Sequence, residues 1–326
     1  MTFACHRIMN LNQYPIVGVV IPCYLVAPHL ESVLASIPAM VTHIIVVDDA
    51  CPDNSGLIAQ RFAQHDKRIT VVFHEKNQGV GGATITGYRK AMSLGCDITV
   101  KIDGDGQMDP ELIPALISPL VARSADYVKG NRFREFEALG RMPKTRLFGN
   151  SALSFLVKVV SGYWNIMDPT NGFTAIHTRC LAKLDLDGIA RDFFFESDML
   201  VHLNLIDAVV QELPMKAKYG NETSSLKIGR VLAEFPFKML RRLMKRVFFR
   251  YFVYDFNMAS VYILAGVPLL TFGLVFGVAQ WIDSIVSGTP KTAGTIMVAA
   301  LPIILAFQML LQAIQIDIDR TPRGKG

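Results

Sequence analysis

Three short apolar runs, over residues 16–21, 43–47 and 69–73, are rich in β-branched side chains and carry almost no polar interruption. Each is too short for a buried helix, and the pattern predicts strands covered on both faces. Between the first two, helical spacing predicts a helix over 29–37. After the second, Asp53-Asn54-Ser55 predicts a turn and N-cap for a helix running to His65. A glycine-rich turn over 77–82 then leads into a helix ending near Leu94, and the next apolar segment, Val100-Lys101-Ile102, stops at Asp103. Strand and helix alternating at this spacing predict βαβ units, an α/β fold with a mostly parallel sheet. Ligands of such sheets sit beyond the carboxyl ends of the strands. Tyr24, Asp49 and Asp103 all fall at that edge.

Past Pro110 the pattern predicts a helix to Val121, a short strand over 127–129, a polar mobile loop over 134–145 and a helix over 146–160. Phe193-Phe194-Phe195-Glu196-Ser197-Asp198 opens a further helix, followed by a strand over 208–212 and a polar run over 216–227. Between 235 and 254 the periodicity splits sharply. Phe237, Leu240, Met244, Val247, Phe248 and Tyr251 take one arc, and Lys238, Arg241, Arg242, Lys245, Arg246 and Arg250 the other. This predicts a basic amphipathic helix lying in the headgroup layer of a membrane. Two stretches without a charged residue follow, over 256–282 and 292–316. Each exceeds the ~20 residues a helix needs to cross a bilayer. The expected organisation is therefore a domain over 1–230, a juxtamembrane helix over 231–255 and two membrane helices.

Composition changes this picture little. The excess in an apolar fraction of 51% falls in the C-terminal spans, and the net charge of +5 owes much to the basic helix, pointing to anionic headgroups rather than nucleic acid. Basic residues before the first span and Arg320, Arg323 and Lys325 after the second place both ends in the cytoplasm by the positive-inside rule. The expected localisation is the cytoplasmic membrane. The N-terminus lacks the long apolar stretch of a signal peptide. Five scattered cysteines without a C-x-x-C pair read as reduced thiols, and seven histidines show no metal-ligand spacing.

Candidate chemistry gathers at Asp103-Gly104-Asp105-Gly106-Gln107-Met108-Asp109-Pro110. Asp and Gly at a strand end ordinarily make a turn. A second strand ending in Asp48-Asp49, with a glycine-rich turn between the two, favours a site instead, and Gln107 supplies a third oxygen. Hard oxygen donors of this kind suit Mg²⁺ or Mn²⁺ held together with substrate phosphates.

Ile21-Pro22-Cys23-Tyr24, Val47-Asp48-Asp49 through Ser55, Asn77-Gln78-Gly79-Val80-Gly81-Gly82-Ala83, the Asp103 stretch and Asp168-Pro169-Thr170-Asn171-Gly172-Phe173 resemble, in order, the motifs of inverting family 2 glycosyltransferases of the GT-A fold. With Gly130-Asn131-Arg132-Phe133 and Ser224-Ser225-Leu226-Lys227 the chain is similar, more narrowly, to polyprenyl-phosphate glycosyltransferases, the group that contains dolichyl-phosphate mannose synthases. The resemblance implies that Pro22, Tyr24 and Asp49 hold the nucleotide, that Asp103 contacts the ribose and metal side, and that Asp105 and Gln107 ligate the metal. It places Arg132, Lys218 and Lys227 around the acceptor phosphate, and it implies a homo-oligomer. The family often has Asn-Glu after the tyrosine, where this chain has Leu25-Val26.

A phosphate acceptor carries its own negative charge near neutral pH. Its oxygen attacks without a side-chain base, so Asp103, Asp105 and Arg132 form the expected catalytic set. Glu196 and Asp198 are then positioning groups or helix caps, and Asp168 and Asn171 sugar contacts or turn formers. The expected reaction is transfer of one sugar from a nucleotide diphosphate sugar to a polyprenyl phosphate. The alternatives are a transferase acting on a sugar hydroxyl, which ordinarily brings a Gln-x-x-Arg-Trp motif and more spans, and a non-catalytic membrane subunit presenting a lipid carrier.

Overall fold

A computed structural model describes residues 14–133, 144–215 and 228–324. Most of the loop predicted over 134–145, the polar run 216–227, and with them Lys218 and Lys227, lie outside the described residues.

Strands β1 (Val17–Cys23), β2 (His43–Asp48), β3 (Ile69–Phe73), β4 (Ile98–Lys101), β5 (Tyr127–Asn131), β6 (Thr174–His177) and β7 (Val210–Pro214) form one sheet in the order β3-β2-β1-β4-β6-β5-β7. All pairings are parallel except those of β6, which runs antiparallel between β4 and β5. Along β1, Val20 joins one buried cluster while Val17, Val19 and Ile21 join another on the opposite face. Both faces being covered is why the strand shows no alternation in sequence.

Helices α1 (Ala27–Ala35), α2 (Ser55–Phe62), α3 (Gly79–Ser93), α4 (Ile113–Val121), α5 (Lys144–Ser161), α6 (Thr178–Leu181) and α7 (Phe195–Leu205) fill the connections. The predicted cap of α2 takes a different form. Asn54 has φ 63° and makes no capping bond; Asp53 Oδ1 accepts the Ser55 N–H at 3.1 Å instead. The glycine-rich turn is itself the first turn of α3. A Cβ at Gly79 would lie 2.5 Å from the Arg191 carbonyl oxygen, and Gly79 has φ +82°, so these small residues admit the backbone of 190–191.

Helix α8 (Ile228–Phe248) continues into a π-turn over Phe249–Val253. Its helical periodicity is as predicted, but Tyr251 of the apolar arc is buried, Arg241 of the basic arc is exposed, and the surroundings of the basic residues differ from the expectation. Lys238 pairs with Asp192, Arg242 with Asp198 at 2.7 Å, Arg246 with Asp317 at 2.7 Å and Arg250 with Asp207 at 2.8 Å. Arg246 is 2% exposed, whereas Phe237 is 73% and Met244 64% exposed. The basic stripe at every fourth residue therefore faces the protein, and apolar side chains face out. Periodicity separates two arcs; the acidic partners at matching intervals decide which arc turns inward.

The last two helices, α9 (Met258–Ser287) and α10 (Ala293–Asp319), pack on each other and are long and apolar enough to cross a membrane. Asp317, at the end of α10, accepts bonds from both Arg246 Nη atoms, the Tyr251 hydroxyl and the Trp164 indole N–H. That socket ties α10 to α8 and to the segment after α5.

Candidate functional site

The carboxyl ends of β1, β2 and β4 converge at one edge of the sheet. Tyr24 is 48% exposed there, while Pro22 is buried within β1, paired in register with Val47. Leu25 has φ 58°, its N–H directed at Cys51 Sγ, and the next residue, Val26, is buried against the Asp103–Asp105 turn, where a Cβ on Gly104 would lie 3.0 Å from its Cγ2. Val26 thus supports the turn by packing, while Leu25 is exposed.

Asp48 and Asp49 are buried and bonded to backbone N–H groups. Asp48 accepts the N–H groups of Cys51 and Gly56, and Asp49 those of Gln78 and Gly79 at 2.8 Å, with His74 Nδ1 at 2.7 Å from its Oδ1. Asp49 is 2% exposed. Two N–H groups at the start of α3 bond to its two oxygens, so Asp49 ties the end of β2 to that helix.

Asp103 behaves otherwise. Its Oδ1 lies 2.6 Å from Lys101 Nζ, which also reaches Glu196 Oε1 at 3.2 Å and the Gly172 carbonyl at 3.4 Å. Lys101 is fully buried at the last position of β4. Burial disfavours its charge, but Asp103 and Glu196 outweigh that and hold the ammonium above its ordinary pKa. A Cβ on Gly172 would fall 2.4 Å from Asp103 Oδ2 and 2.6 Å from Lys101 Nζ, so the cluster fits only against a glycine. Asp105 Oδ1 accepts the Gln107 N–H at 3.0 Å, which curls the turn.

Among the described residues no three His, Cys, Asp or Glu side chains form a closed metal cage. Two carboxylates and an amide oxygen on one turn fit a divalent cation that keeps waters and takes further oxygens from a diphosphate.

A second group forms at the ends of β5 and β7. Arg132 meets Asp168 as a fork, Nε to Oδ2 at 2.8 Å and Nη2 to Oδ1 at 2.9 Å, and its backbone N–H reaches Oδ2 at 3.1 Å. Asp168 is fully buried; burial raises its carboxyl, but Arg132 and then Lys129 pull it below the ordinary range. Asn171 Oδ1 accepts the Phe173 N–H, making it a turn former. Glu212 Oε1 receives the Met167 and Asp168 N–H groups, and its Oε2 the Asn131 amide. Burial raises the Glu212 carboxyl.

The structure thus joins Asp103 with Glu196 and Arg132 with Asp168. It does not join Asp198 to either group. Asp198, expected as a positioning group or a helix cap, accepts from Arg242 and the Ala190 N–H; it lies two residues past Glu196 on α7 and faces α8. Sequence reasoning missed Lys101, Lys129 and Glu212. A lysine in the middle of an apolar strand run was the available signal for the first two.

Residues 18–185 match Glycosyl transferase family 2. The UDP-N-acetylglucosamine–dolichyl-phosphate N-acetylglucosaminyltransferase of Methanococcus voltae is 33% identical over 189 residues, which cover 54% of this chain and 75% of that protein. The undecaprenyl-phosphate mannosyltransferase of Micrococcus luteus is 32% identical over 173 residues, covering 53% and 70%. In fold, the chain is similar to glucosyl-3-phosphoglycerate synthase from Mycobacterium tuberculosis, crystallised with UDP, at a TM-score of 0.54, 21% identity, 70% of this chain and 80% of that one.

Proposed function

The chain belongs to glycosyl transferase family 2, and from that membership we propose that it transfers one sugar, with inversion, from a nucleotide diphosphate sugar to a polyprenyl phosphate at a membrane surface. The observation that carries this reading is the direct linkage of the strand-edge carboxylates to helices of membrane length: α7 bears Glu196 and is gripped by α8, and α8 is locked to α10 through Arg246 and Asp317. The two relatives named for dolichyl and undecaprenyl phosphate support the same acceptor.

In this reading 1–230 is the transfer domain, and 256–282 and 292–316 are spans. Helix α8 lies at the membrane surface through its exposed Phe237, Leu240, Met244 and Phe248. Helix α5 adds Phe155 and Leu156, also exposed, and the basic flanks put the domain on the cytoplasmic side.

The chemistry follows from the charges. An acceptor phosphate oxygen forms a bond to the sugar C1 as the bond from C1 to the diphosphate oxygen breaks, and the electron pair leaves with the nucleoside diphosphate. No proton has to be removed. Glu196 fits this, being committed to Lys101 rather than free to act as a base. Asp103, Asp105 and Gln107 would hold Mg²⁺ or Mn²⁺, which when bound stabilises the departing diphosphate as a Lewis acid. Arg132, on its Asp168 fork, would orient the acceptor phosphate, with Tyr24 at the nucleotide.

The test is purified full-length protein given undecaprenyl phosphate and a panel of labelled nucleotide sugars with Mn²⁺ or Mg²⁺. A lipid-linked monosaccharide of inverted configuration, identified by mass and nuclear magnetic resonance, is the expected product. Transfer to sugar hydroxyls alone, or no transfer from any donor, would overturn the reading.

A further inference from the structure

Lys129 lies within β5, in register with Thr174 of β6 on one side and Glu212 of β7 on the other, and it is fully buried. Among the described residues its ammonium makes one hydrogen bond, to the Pro169 carbonyl at 2.8 Å. Four charged groups face it: Asp168 from the turn after α5, Glu196 from α7, Glu212 from β7 and Arg132 from just past the end of its own strand. Burial dominates over the three carboxylates and pushes the amine down to about 8.

Such a cation weakens the fold. With the folded value depressed, the native state resists holding the proton, so stability rises as pH climbs from about 8 toward the unfolded value of about 10.4. At neutral pH an apolar chain of similar length would be as stable or more so. Stability does not account for Lys129; its neighbours do. Pro169 follows Asp168 directly, and Asp168 grips Arg132 through three bonds.

We propose that Lys129 is a positioning residue of the acceptor-phosphate pocket, tying down the Pro169 carbonyl and so fixing the Asp168 carboxylate and the orientation of the Arg132 guanidinium. The inference rests on the reading of Arg132 as the acceptor-phosphate ligand.

The test compares full-length wild type with Lys129→Met in lipid nanodiscs containing undecaprenyl phosphate, using the nucleotide sugar that the wild type transfers. The acceptor KM rises about tenfold in the variant, while donor KM and kcat stay within about twofold. The melting temperature is unchanged or higher. An unchanged acceptor KM overturns the proposal, as does a joint loss of kcat and both KM values with lowered melting. Should the Met variant not fold, Lys129→Gln, which keeps a donor for Pro169, decides: an acceptor KM within about threefold of wild type supports the tether, and loss of donor affinity overturns it. Should the wild type transfer to no lipid phosphate, the functional reading fails separately. Equilibrium binding of undecaprenyl phosphate to both proteins still decides the role of Lys129, equal affinities overturning it.

Discussion

A lysine buried beneath two carboxylates separates the strand end at Asp103 from an ordinary Asp-Gly turn. Lys101 holds Asp103 and Glu196 from below, and Gly172 leaves the space in which the three meet. Substituting Gly172→Ala intrudes on the ends of two flexible side chains rather than on backbone, so the protein folds while the cluster shifts. We expect a loss of about tenfold or more in kcat/KM with a melting temperature close to wild type, read by steady-state kinetics and calorimetry. Asp105→Asn keeps an oxygen for the Gln107 N–H, and so keeps the turn, but removes a charge from the metal site. Transfer falls by about a hundredfold or more, and full activity of that variant with Mg²⁺ or Mn²⁺ would remove Asp105 from the metal site. The aspartates were legible in the sequence because they end a strand; the lysines were not, since a cation inside an apolar strand acquires meaning only from the strands beside it.

At the scale of elements, α7 joins two jobs, presenting Glu196 to Lys101 and Asp198 to Arg242. His202, also on this helix, is buried, and neither of its ring nitrogens is hydrogen-bonded among the described residues. Burial, then Lys245 and Arg242, push its pKa down to about 4. The folded value lies below the unfolded one of about 6.5, so the unfolded chain binds the extra proton between those values. The contribution of a neutral His202 is therefore present above pH ~6.5 and declines as pH falls toward 4, by up to about 3 kcal/mol. Denaturant unfolding across that range should show the slope, and His202→Leu should flatten it; identical slopes would remove His202 as the cause. The helix itself was legible from periodicity, but its two-sided role was not, because the helices packed against it, α3, α5 and α8, are distant in sequence.

For the whole molecule, the decisive connection is the socket around Asp317. Arg246, Tyr251 and Trp164 converge on one carboxylate, and Arg246 also donates to the Val159 and Val160 carbonyls at the end of α5. Removing one partner leaves a buried charge uncompensated, at a cost of about 3–5 kcal/mol. Asp317→Ala should therefore lower the melting temperature markedly. Adding Arg246→Met should restore much of the loss, because no buried cation then remains; a double variant as unstable as the single one would show that the ion pair is not the lock. The same arrangement explains why α8 exposes Phe237 and Met244: the inward side is held by ion pairs, which leaves these side chains on the outer side.

The sequence by itself determined the alternation of strands and helices, the two apolar helices, the ligand edge at Asp103 and the family resemblance. Each of these is written in local order, as runs, periods and short motifs a few residues long. Tertiary structure alone decided that Asp49 bonds to the start of α3, that Asp168 forks Arg132, that Lys101 and Lys129 lie buried beneath these groups, and that the basic stripe of α8 turns inward. Those outcomes depend on which groups meet across adjacent strands and packed helices. A charge or a hydrogen-bond donor has no fixed role until burial removes water as its competing partner.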